Sequence, residues 1–467
     1  MFNVGDFSYG ISDIEKHIQI LGSRFAETQV KQRRMLQKWI YSRDLMHKRT
    51  RWSNEELSEW QLEKIATLVD FAYSTNPFYN QLYKAAGYER GAIITWDDYN
   101  ALPTISKGDI VEHFHMFKNN LSPTVEECLA SRTSGSSGRS LTVFRDQTTI
   151  DYVTLLGMRF EEQMIGRRRE PNEWLYLIYL SCYPYTSLDG QFPTFAVSID
   201  CPSESILAHW KLLKPTVASG LPNSFLRMAS IVQNPSELGV LAINVNSESS
   251  TQEERKIIAD KFACPVFDEY SSVELSLIAT QCRSGRYHIT EDNVRVDVLN
   301  PDKNGMGEII ATNLANTYMP FIRYRQGDMI QINSTLHTQS DICECGSNFR
   351  VLDSFAGRAD QFLHSRAIGV IPPDKVMQLY DRCLLSQGDF VDEFRIVQTH
   401  IDRLQVFLVP TAGASQANPQ SVERFVRELK ELFEDCNLVV NVENVSTMPP
   451  NKSHKRRLII NEMKDNG

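Results

Sequence analysis

The chain has 467 residues, of which 42% are hydrophobic and 23% are charged, which predicts two or three globular domains with sizeable cores. Its net charge of -9, from 49 basic and 58 acidic side chains, argues against nonspecific nucleic-acid binding, because such binding needs a basic surface. There is no run of about 18 apolar residues and no secretory leader pattern, so we expect neither a membrane span nor export. The nine scattered cysteines are an odd set, which favours reduced thiols and a cytoplasmic location.

The pattern along the chain predicts an α/β fold. Residues 10–90 are expected to be largely helical, because their charged and apolar stretches contain few glycines or prolines. Residues 92–112 predict a helix start followed by an extended piece. From 170 to 280, short apolar runs alternate with amphipathic helical patterns, which indicates a sheet covered by helices. Residues 294–332 predict paired strands joined by a Pro-Asp-Lys-Asn-Gly turn.

The C-terminal quarter predicts a separate small α+β domain. After Gly357 the pattern restarts in the order β-β-α-β, at residues 393–399, 403–410, 421–435 and 438–445. We therefore expect a large multi-sheet N-terminal α/β domain and a small mobile lid. The predicted bounds are 1–65 for a helical N-terminal extension, 66–357 for the large domain and 358–467 for the lid.

A loop rich in glycine and small hydroxyl residues is the sharpest local feature. It reads Arg-Thr-Ser-Gly-Ser-Ser-Gly-Arg-Ser from Arg132 to Ser140. Glycines let the backbone approach a phosphate, and hydroxyls and free N–H groups donate hydrogen bonds to its oxygens. It is not a Walker loop, because no Lys-Ser/Thr pair follows the second glycine. The alternative is a flexible polar linker, but strand-like segments on both sides favour an ordered loop.

This loop resembles the phosphate loop of the acyl-adenylate-forming superfamily. Four further stretches resemble superfamily motifs in the expected order: Tyr270-Ser271-Ser272-Val273-Glu274, Arg323-Tyr324-Arg325-Gln326-Gly327-Asp328, Gly357-Arg358-Ala359-Asp360 and Pro450-Asn451-Lys452-Ser453-His454-Lys455-Arg456-Arg457. Within the superfamily, the phenylacetate–CoA ligase branch is the most similar. Its N-terminal segments resemble residues 74–87 and 102–110, and its Pro-Ser turn resembles residues 220–224.

The resemblance implies ATP-dependent activation of a small carboxylic acid to an acyl-AMP, with Mg²⁺ held by Glu274. Asp328 would bind the ribose hydroxyls, and Lys455 would be the catalytic lysine, with Lys452 as runner-up. A glycine-rich loop, a metal ion and a mobile lysine are suited to neutralising the charge that develops on phosphate. The nucleotide-binding residues that the resemblance implies are Thr133, Ser134, Gly135, Ser136, Ser137, Gly138, Ser247, Glu248, Asp268, Glu269, Tyr270, Ser271, Asp328 and Arg358.

These residues also have ordinary structural interpretations. Asp328 could be a turn carboxylate, and Glu274 could be a charge at a helix N-terminus. The basic stretch around Lys455 could be a solvated tail.

Four potential zinc ligands form two short clusters, Cys282 with His288 and Cys343 with Cys345. Similar positions occur in the phenylacetate–CoA ligase branch, which implies a closed structural Zn²⁺ site. The alternative is a set of unpaired reduced thiols, because the spacing departs from the usual CxxC pattern. The other cysteines are predicted to be core residues or isolated thiols.

Three positions depart from the family pattern. Ser271 replaces a glycine, Val273 replaces a serine or threonine, and Ala367 replaces a glycine after the hinge motif. The resemblance also implies transfer of the acyl group to a thiol. The three changes bring the identity of this thiol acceptor and the level of activity into question. The simplest acceptor is CoA. The alternatives are the phosphopantetheine of a carrier protein, or an idle nucleotide-binding homologue that acts as a scaffold.

The identity of the acid and the oligomeric state are open, although relatives in the branch often form homodimers. Aromatic residues between 174 and 192 hint at an aromatic acid: Trp174, Tyr176, Tyr179, Tyr183, Tyr185 and Phe192. Such residues are more often part of a core.

Overall fold

The computed structural model of this chain describes residues 42–118, 128–133, 140–179, 185–187, 192–303, 305–332, 343–358, 361–385, 391–410, 414, 416–449 and 457–463. Residues 42–49 are helical. The helices that follow are α1 (Asn54–Thr75), α2 (Pro77–Ala85), α3 (Trp96–Ala101), α4 (Lys107–Glu112), α5 (Gln147–Ile165), α6 (Ser203–Leu213), α7 (Pro222–Ala229), α8 (Gln252–Phe262), α9 (Pro373–Tyr380) and α10 (Pro419–Leu432). A 3₁₀ turn covers Pro235–Glu237 and a π turn covers Asp381–Leu385.

Most strands of the described chain belong to one large sheet and to a smaller C-terminal sheet. The strands of the large sheet are β1 (Ile105–Ser106), β4 (Leu175–Tyr179), β5 (Tyr185–Ser187), β6 (Phe192–Ser198), β7 (Val217–Gly220), β8 (Ala242–Val245), β9 (Val266–Ser272), β10 (Ser276–Gln281), β11 (Tyr287–Ile289), β12 (Val294–Leu299), β13 (Met306–Asn313), β14 (Tyr324–Ile332) and β15 (Val351–Arg358). Two short ribbons are β2 (Leu129–Arg132) with β3 (Thr142–Arg145), and β16 (Leu363–Ser365) with β17 (Gly369–Ile371). The C-terminal sheet contains β18 (Val391–His400), β19 (Arg403–Pro410), β20 (Val439–Asn444) and β21 (Ile459–Asn461).

The large sheet has a parallel half and an antiparallel half that share β9. Strands β6, β4, β7, β8 and β9 are parallel neighbours, and β9, β10, β11, β15, β14, β13 and β12 follow in antiparallel order. The strand and helix alternation predicted for residues 170–280 and the paired strands predicted for 294–332 are confirmed. Helix α4 was not predicted, because six residues carry too little periodicity to be read from sequence.

Helices cover both faces of the parallel half. On one face, α6, α7 and α8 enclose a core that includes Trp210, Phe225 and Ile258, all fully buried. On the other face, Phe160 and Met164 of α5 pack against the sheet. This arrangement explains why the parallel strands are apolar on both faces over the part that the helices cover.

The small C-terminal domain has its own sheet, in the order β20-β19-β18-β21, and its own core. The predicted β-β-α-β order corresponds to β18, β19, α10 and β20. In the core, the Tyr380 and Phe394 rings stack with centroids 4.6 Å apart, and Phe425 lies edge-on to Phe394. The predicted α/β class with a separate small C-terminal domain is thus confirmed, although the large domain is built on one long sheet and two strands of a ribbon. The added strand β21 completes the C-terminal sheet beside β18.

The N-terminal bound at residue 65 falls within α1, whose residues Ile65 and Leu68 lie in the same core. The helical residues 42–49 also contact the large domain, where Arg43 and His47 both bond to the buried carboxylate of Glu162. The residue bounds of the extension, the large domain and the lid remain a prediction. Within the described residues, no helix is both long and apolar enough to cross a bilayer.

The C-terminal domain contacts helix α8 of the large domain. Ile257 packs against the C-terminal core, and Asp381 forms a hydrogen bond with Thr251, the N-cap residue of α8. Burial raises the pKa of Asp381 to about 7, the Thr251 hydrogen bond opposes this shift, and the carboxylates of Glu254 and Glu253 add to it. The contact is therefore sensitive to the protonation of one side chain.

We expect Asp381→Asn to stabilise the protein at pH 8 but not at pH 4. The pKa of Asp381 in the folded protein lies above the unfolded value of about 4. The neutral carboxyl therefore stabilises the folded state below about pH 4, and this stabilisation is lost as the pH rises through 7. After allowance for solvent screening, the gain at pH 8 is about 1 kcal/mol. Melting temperatures at both pH values measure it, with the exposed Glu423→Gln as control. A gain that is equal at both pH values would contradict this prediction.

Candidate functional site

The predicted phosphate loop connects two strands that form a β-hairpin. Strands β2 and β3 are antiparallel, with Arg132 paired to Thr142. At the mouth of the hairpin, the Thr133 hydroxyl accepts hydrogen bonds from the Leu141 N–H at 2.9 Å and from the Lys107 ammonium at 3.1 Å. Arg132 Nε donates to Ser140 Oγ at 2.6 Å. The two ends of the loop are thus held together, while Ser134 to Gly138 lie outside the described residues.

Tyr270, Gln326 and Asp328 form one hydrogen-bonded cluster. The Tyr270 hydroxyl donates to Asp328 Oδ2 at 2.6 Å, and Gln326 Nε2 donates to the same oxygen at 2.5 Å. Gln326 Nε2 also lies 2.9 Å from the Tyr270 hydroxyl. Asp328 is buried. The sequence predicted Tyr270 and Asp328 separately, and the structure brings them into contact; Gln326 was not predicted as a site residue.

This contact requires a strongly curved sheet. Three strands lie between β9, which carries Tyr270, and β14, which carries Asp328. In a flat sheet, strands four positions apart would be about 19 Å apart, well beyond the reach of a tyrosine and an aspartate. The ladder is irregular in both β9–β10 and β14–β15, and such bulges bend and twist a sheet. The curvature therefore brings distant motifs to one place.

Glu274 lies in the turn that connects β9 to β10. Its carboxylate is buried and accepts a hydrogen bond from the Tyr324 hydroxyl at 3.2 Å. The guanidinium of Arg145, at the end of β3, donates to the carbonyl oxygen of Val273 next to it. Tyr324 and Arg145 thus tie the turn to the neighbouring strands, so the predicted metal-binding carboxylate is held in place from two sides.

Two family departures occupy defined positions in the structure. Ser271 lies on β9 opposite Leu277 and forms a hydrogen bond with Glu269. Ala367 lies in the exposed turn between β16 and β17, where its N–H donates to Ser365 Oγ at 3.1 Å. The serine at 271 is therefore accommodated on β9, beside the irregularity of the β9–β10 ladder, with a polar partner for its side chain.

The carboxyl ends of β8 and β9 carry the remaining predicted nucleotide residues of this region. Ser247 follows β8 and has a positive φ of 66°. Asp268 accepts from the Tyr287 hydroxyl at 2.7 Å and pairs with Arg255 at 3.2 Å; burial nonetheless raises its pKa. Glu269 accepts from Asn244 Nδ2 at 2.8 Å. Since successive strand residues point to opposite faces, Asp268 and Glu269 lie on different sides of the sheet.

Sequence reasoning missed three polar residues near Glu269. Ser219, Asn244 and Asn246 are buried at the ends of β7 and β8, and both asparagines donate to Ser219 Oγ, at 3.1 and 2.9 Å. The available signal was polar side chains in and directly after the apolar run of residues 240–245, because a buried parallel strand rarely contains them.

Two of the aromatic residues that hinted at an aromatic acid are core residues. Tyr176 is fully buried among α6 and α7 residues, and its hydroxyl bonds to His209 Nδ1 at 2.7 Å. Phe192 is buried against α5. These two side chains therefore give no support to an aromatic substrate.

The four predicted zinc ligands lie together. The ligand atoms of Cys282, His288, Cys343 and Cys345 are all within 4.8 Å of one another. The sulfurs of Cys282 and Cys343 are 3.7 Å apart, and Cys345 Sγ is 3.3 Å from His288 Nε2. Tetrahedral zinc with Zn–S bonds of about 2.3 Å places two sulfurs about 3.8 Å apart, so the arrangement fits this ion.

Supporting contacts orient the cluster. His288 Nδ1 lies 2.8 Å from the carbonyl oxygen of Phe349, which leaves Nε2 directed at the sulfurs. The hydrogen bond with Cys345 lowers the pKa of the Cys282 thiol, which favours the thiolate that binds metal. Gly285 and Gly346 both have a φ of 78° and close tight turns after Cys282 and Cys343, because their N–H groups donate to the cysteine carbonyls.

The other cysteines of the described chain are outside this cluster. Cys201, Cys264 and Cys383 are buried, Cys128 is half-buried and Cys436 is exposed. Cys182 lies outside the described residues.

Comparison with known proteins identifies two kinds of relative. Protein CapK of Staphylococcus aureus is 25% identical over 439 residues, covering 89% of this chain and 92% of CapK. A phenylacetate-coenzyme A ligase of Thermus thermophilus is 22% identical over 367 residues, covering 73% of this chain and 78% of the ligase. No protein-family model matches the chain.

A solved structure has the same fold. The crystal structure of 2-hydroxyisobutyryl-CoA ligase in the postadenylation state, in complex with R3-HIB-AMP, superposes with a TM-score of 0.72 at 18% identity, covering 88% of this chain and 91% of that chain. The resemblance inferred from the motifs is confirmed. The chain is similar in sequence to phenylacetate-coenzyme A ligases and has the fold of an acyl-CoA ligase.

The predicted motifs that lie within the described residues converge on β9. The phosphate-loop hairpin contacts the Glu274 turn through Arg145, and the Tyr270 motif contacts the Asp328 motif. Arg358 ends β15 opposite Asp328 in the ladder. Lys452 and Lys455 lie outside the described residues. The roles of the individual site residues remain predictions.

Proposed function

We propose that this chain activates a small carboxylic acid with ATP, forming an acyl-AMP and pyrophosphate, and then transfers the acyl group to the thiol of CoA. The observation that carries the proposal is the hydrogen-bonded cluster of Tyr270, Gln326 and Asp328 beside the Glu274 turn. A buried carboxylate of this kind is suited to accept two ribose hydroxyl hydrogen bonds. The relatives named as CoA ligases support the acceptor.

The chain's own residues divide the work of adenylation. Asp328 and Tyr270 would orient the nucleotide, and the loop after Thr133 would bind its phosphates through backbone N–H groups. The carboxylate of Glu274 is an oxygen ligand suited to Mg²⁺, which would supply electrostatic stabilisation of the phosphate charge. Lys455 would approach from the lid and act on the charge that develops in the transition state.

Two alternatives differ in the acceptor or in activity. A carrier-protein phosphopantetheine presents the same thiol as CoA, so the site chemistry alone does not separate these acceptors. An idle scaffold would bind ATP without exchanging pyrophosphate. We further propose a cytoplasmic location from the cysteine pattern, and a homodimer from the resemblance.

We expect Lys455→Ala to reduce acid-dependent ATP–pyrophosphate exchange by at least about 100-fold while leaving ATP affinity nearly unchanged, because the lysine acts on transition-state charge. Exchange with labelled pyrophosphate and ATP titration by calorimetry measure the two effects. Lys430→Ala, on α10, is the matched control in the same domain.

Lys452→Ala separates the two candidate lysines. Loss of exchange in this variant, with normal exchange in Lys455→Ala, would transfer the catalytic role to Lys452. Normal exchange in both variants would remove the lysine from the mechanism.

We also propose that Cys282, His288, Cys343 and Cys345 hold a structural Zn²⁺. All four protein ligands of a tetrahedral site are present, so the site has no open position for catalysis. The cluster joins the β10–β11 hairpin to the segment before β15. Its role would be to stabilise this corner of the curved sheet.

Purified protein is expected to contain about one zinc per chain, and Cys343→Ser is expected to lose it with a fall in melting temperature of roughly 5–10 °C. Metal analysis by mass spectrometry and thermal melting provide the measurements. Cys436→Ser, which alters an exposed thiol outside the cluster, should keep both the metal and the melting temperature. Zinc-free wild-type protein after purification without chelators would rule out the site.

A further inference from the structure

The sheet face under α5 is apolar at the amino ends of the parallel strands and polar at their carboxyl ends. At the amino ends of β7, β8 and β9, the apolar residues Val217, Ala242 and Phe267 pack against Phe160 and Met164 of α5. Two residues further along each strand, the same face carries Ser219, Asn244 and Glu269, because side chains two apart lie on one face. A polar row thus crosses the carboxyl ends of three adjacent strands.

Hydrogen bonds connect the row from strand to strand. Ser219 and Asn244 are paired in the β7–β8 ladder, and Asn244 Nδ2 donates both to Ser219 Oγ at 3.1 Å and to Glu269 Oε2 at 2.8 Å. The amide of Asn246 donates to the same serine at 2.9 Å. Ser271, two residues after Glu269, forms a hydrogen bond with the carboxylate. Ser219, Asn244 and Asn246 are each at least nine-tenths buried.

The row presents acceptors that protein groups do not saturate. The amide nitrogen of Asn244 faces the Glu269 carboxylate, which fixes the orientation of the amide, and its Oδ1 has no hydrogen-bond partner among the described residues. The hydrogen-bond partners of Glu269 are Ser271 and Asn244, and the charged groups Asp268 and Glu161, which act on it electrostatically, are both carboxylates. Burial raises the pKa of Glu269. A carboxylate can accept about four hydrogen bonds, so this one has capacity left.

On the α5 side of the row lies a second carboxylate, Glu161, whose cation partner is Arg169. Glu161 of α5 is close enough to Glu269 to interact electrostatically, and Arg169 pairs with Glu161 and also donates to the Glu173 carbonyl oxygen at 2.6 Å. Asp268 and Glu161 thus add negative charge near the row.

The position of the row indicates a ligand. In open α/β sheets, ligands bind in the crevice at the carboxyl ends of the parallel strands. Glu269 directly precedes Tyr270, which contacts Asp328, and Ser271 directly follows it. Because Tyr270 points to the opposite face of β9, a group bound at the row would lie at the same carboxyl edge of the strand as the Tyr270–Asp328 cluster, but on its α5 side.

We propose that this row recognises a substituent of the substrate, and that the substrate is a carboxylic acid carrying a protonated amine. This inference rests on the proposed adenylating function. An ammonium group supplies three hydrogen-bond donors and a positive charge, which matches Asn244 Oδ1 and the Glu269 carboxylate. A hydrocarbon acid would leave Asn244 Oδ1 buried without a partner and the Glu269 carboxylate without a cation, and polar sites of this kind reject such analogues strongly.

The test is ATP–pyrophosphate exchange with acids in matched pairs. Suitable pairs are phenylalanine with 3-phenylpropionate, 6-aminohexanoate with heptanoate, and 4-(aminomethyl)benzoate with 4-ethylbenzoate; phenyllactate serves as the hydroxyl analogue of phenylalanine. In at least one pair we expect kcat/KM for the amine to exceed that for its analogue by about 100-fold or more.

Glu269→Gln keeps the shape and removes the charge, and it is expected to reduce that preference at least about tenfold, mainly through a higher KM for the amine. Asn244→Ala should act in the same direction, which covers the case in which the first variant folds poorly. Glu237→Gln, the same chemical change at an exposed position, should leave the preference unchanged. Melting temperatures report whether each variant is folded.

The outcomes separate the two proposals. A higher kcat/KM for the analogue without the amine would overturn the inference and leave adenylation established. A higher kcat/KM for the hydroxy acid than for its amine partner would do the same. An unchanged preference in folded Glu269→Gln and Asn244→Ala would also overturn it. Absence of exchange with every acid, with ATP still bound, would overturn the proposed function and this inference with it.

Discussion

The hydrogen bonding of β9 on both of its edges is the constraint on which the site depends. One edge pairs with the parallel strand β8 and the other with the antiparallel strand β10. Alternation along the strand then directs Glu269 and Ser271 to the α5 face and Asp268 and Tyr270 to the opposite face. A shift of one residue in either ladder would exchange these two sets. With both edges paired, the polar row and the nucleotide cluster each stay on their own side.

Curvature of the antiparallel half brings Asp328, which β9 does not carry, into contact with Tyr270. Asp328 is three intervening strands away in the ladder, yet it accepts a hydrogen bond from Tyr270 at 2.6 Å. The proposed metal site lies on the strands between them, because Cys282 follows β10 and His288 is in β11. A tetrahedral ion there would fix the relative position of β11 and the segment before β15. The metal site and the bulges would thus support the same bend.

The positions of individual helices and strands were predicted better than the contacts between them. Long periodic segments such as 253–262 and 403–410 were located to within a residue or two, because hydrophobic periodicity is a local property. The four zinc ligands were also predicted, since cysteine and histidine are recognisable by type. The contact between Tyr270 and Asp328 was not predictable, because it depends on ladder irregularities that no local pattern specifies. Asn244 was missed because an apolar strand pattern conceals one polar residue.

The polar row bears on whether the chain is an idle scaffold. CapK, whose name states no reaction, covers most of this chain, so descent alone does not decide between enzyme and scaffold. A buried acceptor without a partner costs a folded protein about 1–3 kcal/mol. A half-buried carboxylate without a cation beside it adds a further cost. Apolar replacements at Asn244 and Glu269 would remove this cost in a protein that binds nothing there. Their presence beside Tyr270, at the carboxyl ends of the parallel strands, is accounted for when a ligand completes their hydrogen bonds, which favours an active enzyme with a polar substrate.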